Sequence, residues 1–163
     1  VRIVNLSLSE VAEALEECTY DIRYVLDLQE QEIIRLSEYA MTDDEIHEFF
    51  EEVDGDETGR YISFPIRIDS RDGYADMEGF IENIEDPQIR GRAEDTIRGS
   101  GAFRRFREFI GEYPELETRW YTWKDERARV RATDWLDEEG LGIGKKGMNL
   151  IPDGVKENKQ LSL

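Results

Sequence analysis

The sequence has little of the side-chain chemistry on which most catalytic and metal sites depend. It contains one cysteine, Cys18, and one histidine, His47. One cysteine excludes a disulfide within the chain and a thiolate zinc cage, and one histidine removes the usual His-based catalytic sets. The phosphate-binding pattern GxxxxGK[ST] and the nucleophile elbow GxSxG are also missing. The sequence therefore identifies no catalytic residue, and we predict no cofactor.

Long apolar runs and a targeting segment are missing as well. No run approaches the roughly 18–20 apolar residues of a membrane helix. The first residues lack the basic segment followed by an apolar one that marks a signal peptide. Together with the single cysteine, these absences predict a cytoplasmic protein that does not associate with membranes.

Acidic residues far outnumber basic ones, and the excess is unevenly distributed. The formal net charge is −18, while 39% apolar and 10% aromatic residues indicate a folded chain. A charge of this sign disfavours nonspecific binding to nucleic acid or to an anionic membrane surface. Residues 1–88 hold 25 acids and 6 bases, whereas residues 89–107 hold six arginines and two acids. The basic charge is therefore concentrated in one segment, and it consists of arginine alone.

Short sequence signals place the first helices and strands. Ser7–Glu10 and Thr42–Glu45 fit capping boxes, in which a hydroxyl and a carboxylate satisfy the free amides of a helix start. Period-two alternation predicts three strands, over residues 20–28, 32–36 and 61–66. The first half of the chain is therefore predicted to supply a sheet and two helices.

Helical spacing dominates from residue 72 to residue 139. Two neighbouring apolar stripes run along the last predicted helix, which begins at Pro114, so we expect it to contact two neighbours. The stripes consist of Leu116, Trp120, Trp123 and Val130, and of Tyr121, Ala128, Ala132 and Trp135. We predict an α+β fold, with a small three-stranded antiparallel sheet packed against a bundle of four or more helices. Residues 1–140 are predicted to form a single domain, and residues 141–163 an irregular C-terminal extension.

One acidic turn warrants comparison with a calcium loop. An EF-hand loop needs oxygen ligands at positions 1, 3 and 5, glycine at 6 and glutamate at 12. Asp54, Asp56, Thr58 and Gly59 satisfy the first four positions, but position 12 is Pro65. We therefore predict no metal site, and the candidate calcium ligands are Asp54, Asp56 and Thr58.

The arginines between residues 89 and 107 form the main candidate site. Three of them fall in the first turns of the helix predicted from Ala102, where the helix dipole favours negative charge. The preceding Gly99–Gly101 leaves amides free to point at an anion. Arginines in this position imply a nearby anion, either on a ligand or among the protein's own carboxylates. The anion-binding or ion-pair candidates are Arg98, Arg104, Arg105, Arg107 and Tyr121.

The interpretation as internal ion pairs makes a specific prediction. Arg104 or Arg105 should form an ion pair with a carboxylate from residues 69–95, because a short connection folds an acidic helix back beside the arginines. The preferred carboxylates are Asp72, Asp76 and Glu78. The same helix is expected to bury Phe103 and Phe106. If neither arginine forms such a pair, anion binding becomes the better explanation of the cluster.

Three functions fit these features. The leading hypothesis is a non-enzymatic cytoplasmic binding or interaction protein with an arginine-aromatic surface around residues 101–107, for which a protein partner is favoured over nucleic acid. The alternative is an enzyme that binds a phosphorylated small molecule through the Gly99–Gly101 amides, Arg104 and Arg105. A further alternative is an acidic mimic of nucleic acid, with carboxylates spaced like phosphates along one face.

Seven short stretches also carry a resemblance to a known family. They are Tyr24–Asp27, Arg60–Pro65, Gly73–Ile81, Gly101–Phe106, Tyr113–Leu116, Trp120–Tyr121 and Asp134–Leu136. In these stretches the chain resembles uncharacterised protein family 0158, a family of small, mainly bacterial proteins, over residues 4–141. Leu28–Gln31 replaces the Thr-Gly-containing turn that we associate with the family, which leaves the turn type open. The family has no established activity, substrate or catalytic residue, so the resemblance implies no function.

Overall fold

The computed structural model describes residues 1–67 and 70–144 of the chain. In chain order, the elements are β1 (Arg2–Val4), α1 (Leu8–Glu17), β2 (Ile22–Asp27), β3 (Glu32–Ser37), α2 (Asp43–Gly55), β4 (Tyr61–Ser63), α3 (Arg71–Glu82), α4 (Pro87–Thr96), α5 (Ala102–Ile110), α6 (Pro114–Glu138) and β5 (Leu141–Ile143). Helices and a small sheet confirm the α+β prediction. Both predicted capping boxes are present, at the starts of α1 and α2.

Two compact units make up the chain. The first unit combines Val1–Ile68 with Ala128–Leu163, and the second unit is Asp69–Arg127. The division falls inside α6, which gives its residues up to Arg127 to the second unit and the others to the first. The single domain predicted over residues 1–140 stays a prediction.

The predicted three-stranded antiparallel sheet lies in the first unit, in the order β3-β2-β4. The central strand β2 pairs with β3 from Ile22 opposite Ser37 to Asp27 opposite Glu32. Pairing with β4 is shorter and covers three residue pairs. The strand predicted over residues 20–28 is therefore shorter in the structure, and Tyr20 is exposed.

Gln31 closes the turn between β2 and β3 without a glycine. Its φ angle is +59°, a left-handed conformation that side chains rarely adopt. Both polar atoms of the Gln31 side-chain amide form hydrogen bonds. Its Nε2 donates to the carbonyl of Leu28 at 2.6 Å, and its Oε1 accepts from the amide of Asn5 at 2.7 Å. These contacts explain how the turn forms although Leu28–Gln31 lacks the usual hairpin signal.

A second sheet was not predicted. β1 and β5 pair in parallel, with Arg2 opposite Leu141 and Val4 opposite Ile143. The prediction that residues 141–163 are irregular is therefore wrong for Leu141–Ile143, and residues 145–163 lie outside the described part. Strands of three residues are too short to show a period, and nothing local to either strand indicates its distant partner.

The first unit is built around one apolar core. β2 and α1 supply its centre, and the end of α6 covers it through Ala132, Trp135 and Leu136. Trp135 stacks on the buried ring of Phe64, with ring centroids 4.4 Å apart. Cys18 is fully buried in this core.

Asp27 is the most deeply buried acid in the described part of the chain. Its side chain is 2% exposed, and the guanidinium of Arg60 binds both carboxylate oxygens, at 2.9 Å and 2.7 Å. The same carboxylate accepts from the amides of Gln29 and Glu30. These bonds, with that of Arg60 the strongest, hold the pKa of Asp27 below its ordinary value. Asp27 therefore joins the hairpin turn to the residue that leads into β4.

The second unit has its own core, formed by α3, α4, α5 and the first half of α6. Phe106 lies at its centre and contacts the rings of Phe80 and Trp120 in edge-to-face geometry. The prediction of two stripes along the whole of α6 is corrected, because the first half of the helix serves this core and the second half serves the core of the first unit. Val130 and Tyr121, one from each predicted stripe, are exposed.

Candidate functional site

The connection from α4 to α5 is a tight turn that depends on glycine. Gly99 and Gly101 have φ angles of +73° and +81°, which favour glycine because it has no Cβ. A Cβ on Gly101 would also lie 2.9 Å from Nη1 of Arg105. The turn therefore brings the guanidinium of Arg105, on the first turns of α5, against the end of α4.

Arg105 binds the carbonyl of the last residue of α4 and two carbonyls of the turn that follows it. Its Nε donates to the carbonyl of Thr96 at 2.9 Å, its Nη1 to that of Ser100 at 2.6 Å, and its Nη2 to that of Arg98. The last carbonyls of a helix have no partner within it and carry the negative end of its dipole. An arginine at the N-terminal end of α5 is therefore explained by the C-terminal end of the preceding helix.

The ion pair predicted between Arg104 or Arg105 and residues 69–95 is not formed with the described residues of that segment. Arg104 pairs with Glu108 on its own helix, with Nη1 3.1 Å from Oε1, and both side chains are exposed. Arg105 bonds to carbonyls. The prediction is thus wrong, because the nearest negative groups are a neighbour on the same helix and the end of another helix.

Two further arginines of the segment also support the fold. Arg90 donates to the carbonyl of Ile84 at 2.7 Å, where α3 ends. The guanidinium of Arg92 lies 5.8 Å from the ring centroid of Phe109 and 5.7 Å from that of Tyr113, distances at which cation–π attraction acts. Both arginines thus contact groups of the fold, although Arg92 remains exposed.

The remaining three arginines are exposed. Arg98 and Arg104 expose 77% and 65% of their side chains, and each has one exposed carboxylate beside it on the same helix or its end, Asp95 and Glu108. Exposed pairs of this kind contribute little, because water competes for both charges. Arg107 is exposed, and its side chain forms no hydrogen bond or ion pair with any residue that the structure describes.

Phe103 lies beside these arginines and is 40% exposed, whereas the sequence predicted it to be buried. The buried side of α5 follows Ala102, Phe106 and Ile110 at intervals of four, and Phe103 lies at the margin of that side, where it is only partly covered. Arg107 is four residues after Phe103 and three after Arg104, so its side chain neighbours both of theirs. We call these three residues the α5 surface. The sequence carries a signal for this surface, because Phe103 is followed four residues later by the charged Arg107 on the same side of the helix.

Tyr121 is 51% exposed and has no ring contact with the described residues. A base-stacking platform would need further exposed rings, but Trp120 packs edge-on against Phe80 and Phe106. Trp123 donates from its indole nitrogen to the carbonyl of Asp76 at 2.9 Å. The tryptophans on either side of Tyr121 therefore serve the core.

An open groove of about 700 Å³ runs along α4. Its lining includes Arg92 and Arg98, together with Glu94 and Asp95. The groups on which the phosphate-enzyme hypothesis depends, namely Arg104, Arg105 and the Gly99–Gly101 amides, are not part of this lining. With Arg105 surrounded by three carbonyl oxygens, an anion at its guanidinium would also meet negative partial charges.

The candidate calcium ligands support a turn. Asp54 belongs to the last turn of α2, and Asp56 follows the helix. The carboxylate of Asp56 accepts from the hydroxyl of Thr58 at 2.6 Å and from the amide of Arg60 at 2.8 Å. These hydrogen bonds lower the pKa of Asp56 and bring the chain into β4, where an EF-hand would begin a second helix.

Removal of the Arg105 side chain should destabilise the protein, whereas removal of Arg104 should not. We expect Arg105→Ala to lower the free energy of unfolding by roughly 1–2 kcal/mol, because the carbonyls at the end of α4 lose a charged donor. Arg104→Ala should change it by less than about 0.5 kcal/mol. Urea denaturation followed by circular dichroism measures both, and equal losses would contradict the capping role of Arg105.

No helix in the described part of the chain combines the length and the apolar character needed to span a bilayer. Among the described residues, no group of three or more His, Cys, Asp or Glu side chains is arranged to hold a metal ion. The candidate binding feature is the α5 surface, because it is exposed and carries the positive charges of Arg104 and Arg107.

Comparison with known proteins connects this geometry to a family. The model of the uncharacterised protein family UPF0158 matches residues 2–147. UPF0158 protein PA5073 of Pseudomonas aeruginosa is 28% identical over 142 residues, which cover 86% of this chain and 87% of that protein. No solved structure matches the chain. The resemblance predicted from short stretches is confirmed: the chain belongs to the uncharacterised protein family UPF0158.

Proposed function

We propose that this protein is a non-enzymatic, cytoplasmic binding protein that recognises an acidic protein partner through the α5 surface. One observation carries the proposal: Arg107 is exposed beside Phe103 and Arg104, without a partner among the described residues. Arginine and aromatic side chains supply most of the energy in protein interfaces. A partner with carboxylates next to an apolar group would complement this surface.

Protein is favoured over nucleic acid by the total charge. A nucleic acid long enough to reach beyond α5 would approach a chain of net charge −18, and phosphate repulsion would oppose binding. A protein partner can confine its negative charge to the small area that contacts α5. The phosphate-enzyme alternative has weaker support, because the guanidinium of Arg105 is held by carbonyls at the end of α4 and in the turn after it.

Selection from a phage-displayed library of random peptides tests the proposal and requires no purified partner. We expect wild-type protein to enrich peptides that combine acidic and apolar residues. Their affinity should fall at least tenfold for Arg104→Glu/Arg107→Glu, since two charge-assisted contacts become repulsive. Fluorescence anisotropy with an enriched, labelled peptide gives the dissociation constants.

Arg119→Glu/Arg127→Glu is the matched control, because it changes the net charge equally at two exposed arginines of α6. An equal loss of affinity in the control would show that the peptides respond only to total charge. Enrichment of basic peptides would contradict the proposal. Inorganic phosphate and a single-stranded oligonucleotide are tested as competitors, at concentrations that do not affect the binding of an unrelated peptide to its own protein. If either competitor displaces the peptide, the corresponding alternative is favoured.

A further inference from the structure

Helix α2 is the least covered helix in the described part of the chain. None of its residues is buried, whereas every other described helix buries at least one side chain. Its apolar residues repeat at helical spacing and are only half-buried. They are Ile46, Phe49, Phe50 and Val53. A helix with an apolar stripe normally buries that stripe against a neighbour. In α2 the stripe is only partly buried, so part of its apolar surface remains accessible.

Few contacts hold α2 within its unit. The ring of Phe49 meets that of Tyr61 edge-on at 5.9 Å, and the guanidinium of Arg23 lies 5.0 Å from the ring centroid of Phe50. The hydroxyl of Tyr61 donates to Glu52 at 2.9 Å. These contacts fix one edge of the helix and leave its exposed side free to meet another molecule.

That exposed side is strongly acidic. Seven of the thirteen residues of α2 are acids, and the helix contains no lysine or arginine. The acids are Asp43, Asp44, Glu45, Glu48, Glu51, Glu52 and Asp54. Apart from His47, which lies 3.3 Å from Glu51 on the exposed side, no cation of the described residues pairs with them. The helix therefore presents carboxylates beside half-buried apolar side chains.

The α5 surface has the complementary arrangement. Arg104 and Arg107 are three residues apart, and so are Glu48 and Glu51, which gives both pairs about 4.5 Å of separation along the helix axis. Two helices lying side by side could thus bring each arginine to one glutamate. Phe103 would then face the apolar margin of α2.

We propose that the acidic partner of the α5 surface is α2 of a second copy of this chain, so that the protein self-associates through contacts between α2 and α5. This inference rests on the proposed function and names its partner. A second copy carries the same α2 and the same α5, so it can supply the acidic helix to the α5 surface of the first copy. Each copy would then carry both the α5 surface and the acidic helix that binds to it.

The net charge of −18 on each copy opposes association, but most of this repulsion acts between charges that lie far from the α2–α5 contact. At physiological ionic strength, charges more than about 8 Å apart are largely screened. The facing charges of α2 and α5 would lie within hydrogen-bonding distance, where screening is weak. Local complementarity therefore decides the outcome at physiological salt, and self-association should weaken in molar salt.

Charge reversal on each side tests the contact. Sedimentation velocity compares wild-type protein, Arg104→Glu/Arg107→Glu, Glu48→Arg/Glu51→Arg, and an equimolar mixture of the two variants. We expect wild-type protein to self-associate and each variant alone to do so at least tenfold more weakly. The mixture should recover the wild-type association, because every α2–α5 contact between unlike variants again joins opposite charges. Native mass spectrometry should show that the recovered species contains both variants.

Matched controls change the same charges elsewhere. Arg119→Glu/Arg127→Glu and Glu13→Arg/Glu38→Arg replace exposed residues outside both surfaces, and they should associate like the wild type. If a reversed variant loses its circular dichroism spectrum, Arg104→Cys is mixed with Glu48→Cys and, separately, with Glu51→Cys, so that both directions of helix pairing are covered. A mixed disulfide should form under mild oxidation in at least one of these two mixtures, and Glu13→Cys mixed with Arg104→Cys should not form one.

The outcomes separate this inference from the proposed function. A wild-type protein that stays monomeric at the highest concentration reached would overturn the inference, and so would a mixture that stays monomeric or a mixed disulfide that fails to form. If selected acidic peptides still bind the α5 surface of the monomer, the proposed function stands with a different partner. If acidic peptides fail as well, both are wrong.

Discussion

Asp27→Ala is expected to lower the free energy of unfolding by about 3–5 kcal/mol, the cost of breaking a buried ion pair from one side. The substitution leaves Arg60 without the carboxylate that binds both arms of its guanidinium. It also removes the acceptor for the amides of Gln29 and Glu30 in the hairpin turn. Asp27→Asn keeps an oxygen for those amides, so its loss should be smaller. Urea unfolding followed by tryptophan fluorescence measures both variants.

The pH dependence of this loss has a defined sign. Because the pKa of Asp27 is lowered in the folded state, its contribution is complete above the unfolded value of about 4 and disappears as the pH falls through the folded value. The difference between wild type and Asp27→Asn should therefore be constant from about pH 5 to 8 and shrink below about pH 4. Asp21→Asn, an exposed acid before β2, should change stability by less than about 0.5 kcal/mol. A difference that grows toward low pH would contradict the ion-pair assignment.

Phe106→Ala should destabilise the second unit by about 3–5 kcal/mol, because it leaves a cavity at the centre of that core. Phe106 is 2% exposed and contacts the rings of Phe80 and Trp120. Phe103→Ala on the same helix is the matched control, since Phe103 is 40% exposed and removing it leaves no cavity.

The measurement for both phenylalanine variants is hydrogen exchange of the amides in α3, α4 and α5. We expect protection in these helices to fall by roughly two to four powers of ten for Phe106→Ala, the fold-change that corresponds to its lost stability. Phe103→Ala should leave protection nearly unchanged. Comparable losses in the two variants would mean that the core is not centred on Phe106.

Much of the local structure could be predicted because its causes are close together in the sequence. The capping boxes of α1 and α2 and the start of α4 at Asp86 and Pro87 depend on residues within one turn. The start of α3 could not be predicted so well. Helical spacing predicts a helix from residue 72, whereas α3 begins at Arg71, and the preceding Ser70 makes no side-chain hydrogen bond that would mark the start.

The features that could not be predicted depend on distant groups. β1 and β5 each have three residues and find each other across nearly the whole described chain. Arg105 could be recognised as a residue in need of a negative partner, but that partner is a set of backbone carbonyls. A sequence of side chains does not show where backbone carbonyls lie. The turn at Gly99 and Gly101 must therefore be known before the arginines that bind backbone carbonyls can be told from those that are exposed.

The division of the chain also sets an order of events during synthesis. The first unit needs residues from both sides of the second, since Leu141 pairs with Arg2 and Trp135 stacks on Phe64. At typical rates of 5–20 residues per second, a ribosome needs roughly 3–12 seconds to make the roughly 60 residues of the second unit. During that interval Val4 and Phe64 have been made, but the residues that cover them have not. The continuous second unit can therefore be complete while the N-terminal core still awaits its last strand and helix, and this interval is when the nascent chain is most exposed to aggregation.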